Sequence, residues 1–163
     1  MDDTDRQLLG LLAAGGRSTW AALGERVSLS APSVHERVHK LESSGTILAY
    51  SALVDPERVG AETAALVAIR IQGPSEDRRR LELELAREPA VLELHEVAGD
   101  DCYMAKVRVQ SAAQLAGLLA SLRDHHPGIS SRSSVVLRTV FERPLLWPGD
   151  RPPPLGQVQG VPS

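Results

Sequence analysis

The apolar residues of this chain change their period near residue 60, and that change constrains the fold more than any other feature. Before it they recur at helical spacing: Leu8, Leu9 and Leu12, then Trp20, Leu23 and Val27, then Val34, Val38 and Leu41. After it, apolar and β-branched runs predict strands over Ala64 to Ile71, Val91 to Ala98, Cys102 to Val109 and Ile129 to Phe141. Helices are predicted between them over Ser75 to Arg87, with Leu81 and Leu85 inward, and over Ser111 to His125, with Leu115, Leu118, Leu119 and Leu122 on one side. The resulting order, βαββαβ, is that of a ferredoxin-like split βαβ, an antiparallel sheet with both helices on one face. The fold class is therefore α+β, a three-helix unit followed by a ferredoxin-like domain. Asp55-Pro56 and Gly60 read as a hinge, giving a helical domain over 1–50, a linker over 51–62 and a sheet domain over 63–143. Over 144–163, Pro144, Pro148, Pro152, Pro153, Pro154 and Pro162 with Gly149, Gly156 and Gly160 predict a tail without regular structure. Leu145, Leu146 and Trp147 are apolar enough to dock its first part on a neighbouring surface.

The first three helices carry their own punctuation. The first is predicted over Thr4 to Ala14, with Asp2, Asp3 and Asp5 at the positive end of its dipole and Gly15-Gly16 as its stop. Ser18 is the expected N-cap of the second, which ends near Val27. Ser28-Leu29-Ser30 is a tight turn, Ser30 caps the third helix, and Pro32 fits its first turn. Gly45 ends that helix, and Thr46 to Tyr50 predicts something extended. At about 100° per residue from the inward Val34, the outward surface of the third helix holds Ser33, Glu36, Arg37, Lys40 and, further round, His39.

Three short helices with a tight turn between the last two meet the requirements of a helix-turn-helix, in which one helix braces another in the major groove of DNA. Arg37 and Lys40 would reach phosphates or guanine edges, Ser33 a base or a phosphate, and Arg26 the backbone, with His35 and His39 adding charge when protonated. The same pattern serves a plain three-helix packing unit with a solvated polar face. Net charge is -3 over the chain, so any DNA site must be local. Over residues 17–50, Arg17, Arg26, Arg37 and Lys40 stand against Glu25, Glu36 and Glu42, one net positive charge, which argues against high non-specific affinity.

Other classes find less support. One cysteine, Cys102, excludes an intrachain disulfide and a multi-cysteine zinc cluster. No apolar run approaches the ~18 residues of a membrane span, and the acidic start Met1-Asp2-Asp3-Thr4-Asp5 is unlike a secretory signal, so a cytoplasmic protein is expected. No Gly-rich phosphate loop, nucleophile elbow or kinase signature is present, so neither catalytic residues nor a cofactor are expected. Cys102, His95 and the pair His125-His126 are the candidate metal ligands, at spacings that do not make a preformed tetrahedral site, and no metal is expected. At 163 residues, two small domains each bury a modest core, which favours association with a second subunit.

Asp5-Arg6-Gln7-Leu8-Leu9, Gly16-Arg17-Ser18, Leu29-Ser30, Arg37-Val38-His39-Lys40-Leu41-Glu42 and Gly45-Thr46-Ile47 resemble the N-terminal half of the Lrp/AsnC family of bacterial regulators. Val97-Ala98-Gly99-Asp100 with Tyr103, Lys106-Val107-Arg108-Val109 and Pro127-Gly128 are similar to that family's ligand-sensing domain, so the likeness spans about residues 2 to 143. The resemblance implies a transcriptional regulator that binds double-stranded DNA as a homodimer, commonly assembled into tetramers or octamers, and responds to an amino-acid effector bound near the Gly-Asp loop between dimers. It places the effector site at Gly99, Asp100, Asp101, Cys102, Tyr103, Ser131 and Ser133. The backbone at Gly99 would hold a carboxylate, and Asp100 or Asp101 an ammonium group. Read without the resemblance, Gly99-Asp100-Asp101 is equally a hairpin turn, and the two serines are surface residues of a strand. Many relatives carry an aromatic residue and then Asp where this chain has Asp101 and Cys102, so the ligand is not carried over, and the added carboxylate points towards a basic one. The siroheme decarboxylases resemble the same architecture, and His95 is the histidine that an enzyme of that kind would use.

Overall fold

A computed structural model describes residues 1–142; the tail predicted over 144–163 and its Leu145-Leu146-Trp147 segment lie outside the described residues. The described chain forms two compact units, one of residues 1–53 with 140–142 and the other of residues 54–139.

The first unit is built on α1 (Asp3–Ala14), α2 (Trp20–Val27) and α3 (Ala31–Ser43). Asp2 caps α1 reciprocally: the Asp5 amide donates to Asp2 Oδ1 at 2.9 Å and the Asp2 amide to Asp5 Oδ2 at 2.9 Å. The N-cap of α2 is Thr19, whose Oγ1 accepts from the Ala22 amide at 3.2 Å; Ser18 is spent on the preceding turn, where its hydroxyl donates to the Gly15 carbonyl. Ser30 caps α3 as expected, accepting from the Ser33 amide. Leu8, Leu12, Leu23, Val34 and Val38 form the core. Trp20 does not complete that stripe: as the first residue of α2 it stays 37% exposed and meets the His35 ring edge-on, with centroids 5.7 Å apart. Thr46 to Tyr50 form no strand. Instead, the amides of Thr46 and Ile47 both donate to the Leu41 carbonyl around Gly45 (φ +71°), closing the end of α3.

The second unit runs β1 (Thr63–Ile71), α4 (Ser75–Leu85), β2 (Val91–Glu96), β3 (Tyr103–Val109), α5 (Ala112–His125) and β4 (Ile129–Val135). The sheet order is β2-β3-β1-β4 and each pairing is antiparallel. Alternate residues of the central β1, Ala65, Val67, Ile69 and Ile71, pack with Leu81 and Leu85 of α4 and Leu115 and Leu122 of α5, so both helices cover one face. β4 is shorter than its sequence suggests, and its register explains why. Val135 already sits opposite Ala65, and the Val136 amide makes the last bond to Ala64, beyond which β1 offers little strand to pair with. Among the described residues no helix is long and apolar enough to cross a membrane.

At the end of α5, Glu84 of α4 is shared by two imidazoles, His125 Nδ1 at 2.9 Å and the buried His126 Nε2 at 3.1 Å. The bond to His125, then that to His126, holds the Glu84 carboxyl below the ordinary glutamate range. A lowered carboxyl contributes stability above its unfolded value, about 4.3, and loses it as pH falls through the folded one. Glu84→Gln is therefore expected to lower the denaturation midpoint at neutral pH, with the gap to the parent closing below about pH 4.3. Urea titrations at a series of pH values test this, and a gap constant with pH would refute it.

Candidate nucleic-acid interface and effector loop

The turn between α2 and α3 is tight because Ser28 adopts a left-handed conformation (φ 56°) and the Leu29 amide donates back to the Gly24 carbonyl at 2.9 Å. It delivers α3 with Val34, Val38 and Leu41 buried and Pro32, His35, Glu36, His39 and Lys40 exposed. Lys40 makes no ion pair among the described residues, and Arg26, in the last turn of α2, is likewise exposed and unpaired. Ser33 is half-buried and shares a 2.8 Å hydrogen bond with the Ser30 hydroxyl.

Arg37 lies on the flank of α3 that faces the start of α1. Its Nη1 donates to Asp2 Oδ2 at 2.7 Å and to Asp5 Oδ1 at 2.8 Å. The reciprocal capping amides first, and Arg37 after them, hold both carboxyls below the usual aspartate range, and the two carboxylates raise the guanidinium in turn. The expected DNA contact at Arg37 thus has competing partners in place. Sequence reasoning placed Asp2 and Asp5 only at the dipole; their spacing from Arg37 hides this pairing. On the opposite flank His35 lies against Trp20 and parallel to His39, with planes 3° apart and centroids 6.3 Å apart. His39 in turn approaches Glu42, which accepts from the Tyr50 hydroxyl at 2.8 Å.

In the second unit the β2–β3 connection brings the Gly-Asp loop beside β1 and β4. Gly99 has φ +134° and open space around it, a backbone conformation that L side chains rarely adopt. The Cys102 amide donates to the Ile69 carbonyl, and Arg70 Nε donates to the Asp100 carbonyl at 2.6 Å. The Asp100 carboxylate is exposed and unpaired among the described residues, whereas Asp101 accepts from Arg132 Nη2 at 2.7 Å. Asp101, the extra carboxylate of this loop, is therefore paired with a cation of β4. Arg70 and Arg132, which sequence reasoning did not tie to this loop, are the cations that meet it.

Tyr103 is buried in the core, donates its hydroxyl to Glu82 Oε1 at 2.6 Å, and has its pKa pushed up to about 12 by burial and then by Glu82. Ser131 and Ser133 pair with Ile69 and Val67, on the helix-covered side of the sheet, while Arg132 projects to the other. Cys102 is half-buried with Sγ 3.7 Å from the Ile71 carbonyl oxygen. The candidate metal ligands are not brought together: His95 pairs with Glu93 and the two adjacent histidines with Glu84, and among the described residues no three potential ligands converge.

Comparison with known proteins locates both regions. Residues 1–42 match the AsnC-type helix-turn-helix domain and residues 64–146 the Lrp/AsnC ligand binding domain. The HTH-type transcriptional regulator LrpA of Mycobacterium tuberculosis is 40% identical over 86% of this chain and 93% of its own length. The feast or famine regulatory protein of M. tuberculosis complexed with L-methionine superimposes with a TM-score of 0.78 at 38% identity, covering 86% of this chain and 95% of that one. A transcriptional regulator from Neisseria meningitidis in complex with L-methionine gives 0.83 at 26% identity, covering 88% and 94%.

Proposed function

Since the chain belongs to the Lrp/AsnC family of DNA-binding transcriptional regulators, we propose that it reads a specific operator as a homodimer or higher assembly whose DNA binding answers to a small amino acid. Its relatives are named as transcriptional regulators, and it is a regulator rather than an enzyme. The single observation that carries the operator reading is the exposed face of α3, on which Lys40 stands unpaired among the described residues while the α2–α3 turn fixes the start of the helix and Arg37 ties its middle to α1. Ser33, His39 and Lys40 face the DNA, Arg26 and His35 flank them, and Arg37 acts by holding α3 in place. Residues 1–50 form the DNA-binding domain and 63–143 the effector and subunit-pairing domain, working on chromosomal DNA in the cytoplasm.

The effector reading is supported by the L-methionine bound to two structural neighbours. With Asp101 paired to Arg132, Asp100 is the carboxylate left for an α-ammonium group, and the open backbone at Gly99 suits the α-carboxylate. The effector is an ordinary α-amino acid rather than a basic one, and its influence on DNA affinity is linkage between two sites. Nothing in the geometry favours the decarboxylase reading, since His95 is committed to Glu93 at 3.1 Å.

Gel shifts at fixed salt on the DNA upstream of the chain's own gene, with each of the twenty amino acids, test the proposal: a specific shift altered by one ligand class supports it, and no specific shift under any ligand defeats it. In the same assay Asp100→Ala is expected to abolish the ligand effect while leaving operator affinity within about twofold, as for an exposed surface substitution. A full response in that variant would move the effector elsewhere.

A further inference from the structure

The middle of the outward face of α3 is occupied by Glu36, an acidic residue where a surface built only for phosphate would be basic. About 200° round the helix from the buried Val34, it lies almost opposite the core, one turn after Ser33 and one turn before Lys40. A Glu followed by Lys at i, i+4 is the favourable order for an intrahelical pair, yet neither Glu36 nor Lys40 has a partner among the described residues. The nearest arginine in sequence, Arg37, is turned away and held by Asp2 and Asp5. Two unpaired charges of opposite sign therefore stand side by side on the face that approaches DNA.

We propose that Glu36 is a base-reading residue that selects cytosine, accepting a hydrogen bond from the exocyclic N4 amine in the major groove. The inference rests on the DNA-binding reading of α3 and extends it to a specificity determinant. Its logic is electrostatic. A carboxylate between phosphates is repelled and weakens non-specific binding; among groove edges only a donor such as cytosine N4 or adenine N6 rewards it, and cytosine offers that amine without an adjacent acceptor nitrogen. Lys40, one turn on, supplies the neighbouring contact to a phosphate or a guanine edge. The arrangement lowers affinity for DNA in general and raises discrimination at one base pair of each half-site, in keeping with the weak net positive charge of this region.

The test is selection of binding sites from randomised duplexes by the full chain and by its Glu36→Gln and Glu36→Ala variants. Both substitutions are at an exposed helical position and leave the core untouched. The parent should enrich a motif with a cytosine column in each half-site. Glu36→Gln should convert that column towards adenine, which glutamine reads through N6 and N7, and Glu36→Ala should flatten it, with about tenfold less discrimination against a substituted base pair. Identical motifs from all three proteins, or a change confined to overall affinity, would overturn the assignment of Glu36 while leaving specific DNA binding intact. If the parent itself enriches no motif, the operator reading falls and this inference with it.

Discussion

Gly24→Ala is expected to abolish operator binding and to melt the three-helix unit at temperatures where residues 54–139 remain folded. Gly24 is buried in α2, where the chain comes back on itself, and a Cβ placed on it falls on the carbonyl oxygen of Leu29, with the Ala31 amide close behind. Those atoms are backbone, and relieving the clash means moving the start of α3 itself. Overpacking of this kind destabilises by about 1–3 kcal/mol, and more where backbone must shift. A core of Leu8, Leu12, Leu23, Val34 and Val38 is too small to absorb that without a large loss of folded population. Gly10→Ala is the matched control. Nothing lies within 4 Å of its Cβ, in the interior of α1, so it should stabilise by about 0.5–1 kcal/mol. Circular dichroism melts with gel shifts at one salt concentration distinguish the two. Operator affinity unchanged in Gly24→Ala would show that the turn can open without loss of function.

What the sequence made legible was whatever depends on near neighbours. The apolar run over Ala64 to Ile71 and the Ser30 cap before Pro32 are local patterns, and the structure forms β1 over that run and caps α3 at that serine. Features set by distant partners were not legible. Arg37 looked like a free cation because its carboxylates lie 32 and 35 residues away, and Asp101 looked like surplus charge because Arg132 is 31 residues further on. The end of β4 depends on where β1 begins, which no reading of β4 alone contains. The burial of Tyr103 was hidden for a related reason: the sequence presents it within a loop motif, but it is the first residue of β3, and strand alternation sends it to the core with Ala105, Val107 and Val109. The exchange of Ser18 for Thr19 at the start of α2 is a contest between two adjacent hydroxyls, decided by the turn that Ser18 closes.

Arg37→Ala is expected to weaken operator binding by tenfold or more while leaving the salt dependence of binding unchanged. The second half of that expectation separates two roles. If Arg37 neutralised a phosphate, its removal would reduce the slope of log affinity against log salt by about one; as a clamp between α1 and α3 it contributes geometry and no counterion release. The acidic partners give a sharper contrast. Asp2→Asn and Asp5→Asn each remove negative charge from a DNA-binding unit, which electrostatics alone would turn into tighter binding, and asparagine preserves the cap on α1. Loss of the clamp predicts the opposite sign, weaker binding in both. Combining Asp5→Asn with Arg37→Ala should add little to Arg37→Ala alone, since both act through one contact. Because the carboxyls are held below the ordinary aspartate value, about 3.9, the clamp persists through mildly acidic conditions and is lost only as pH falls through their lowered values. Tighter binding by Asp5→Asn would reverse the assignment, for it would mean that Arg37 belongs to the DNA and that the carboxylates of α1 compete with phosphate for it.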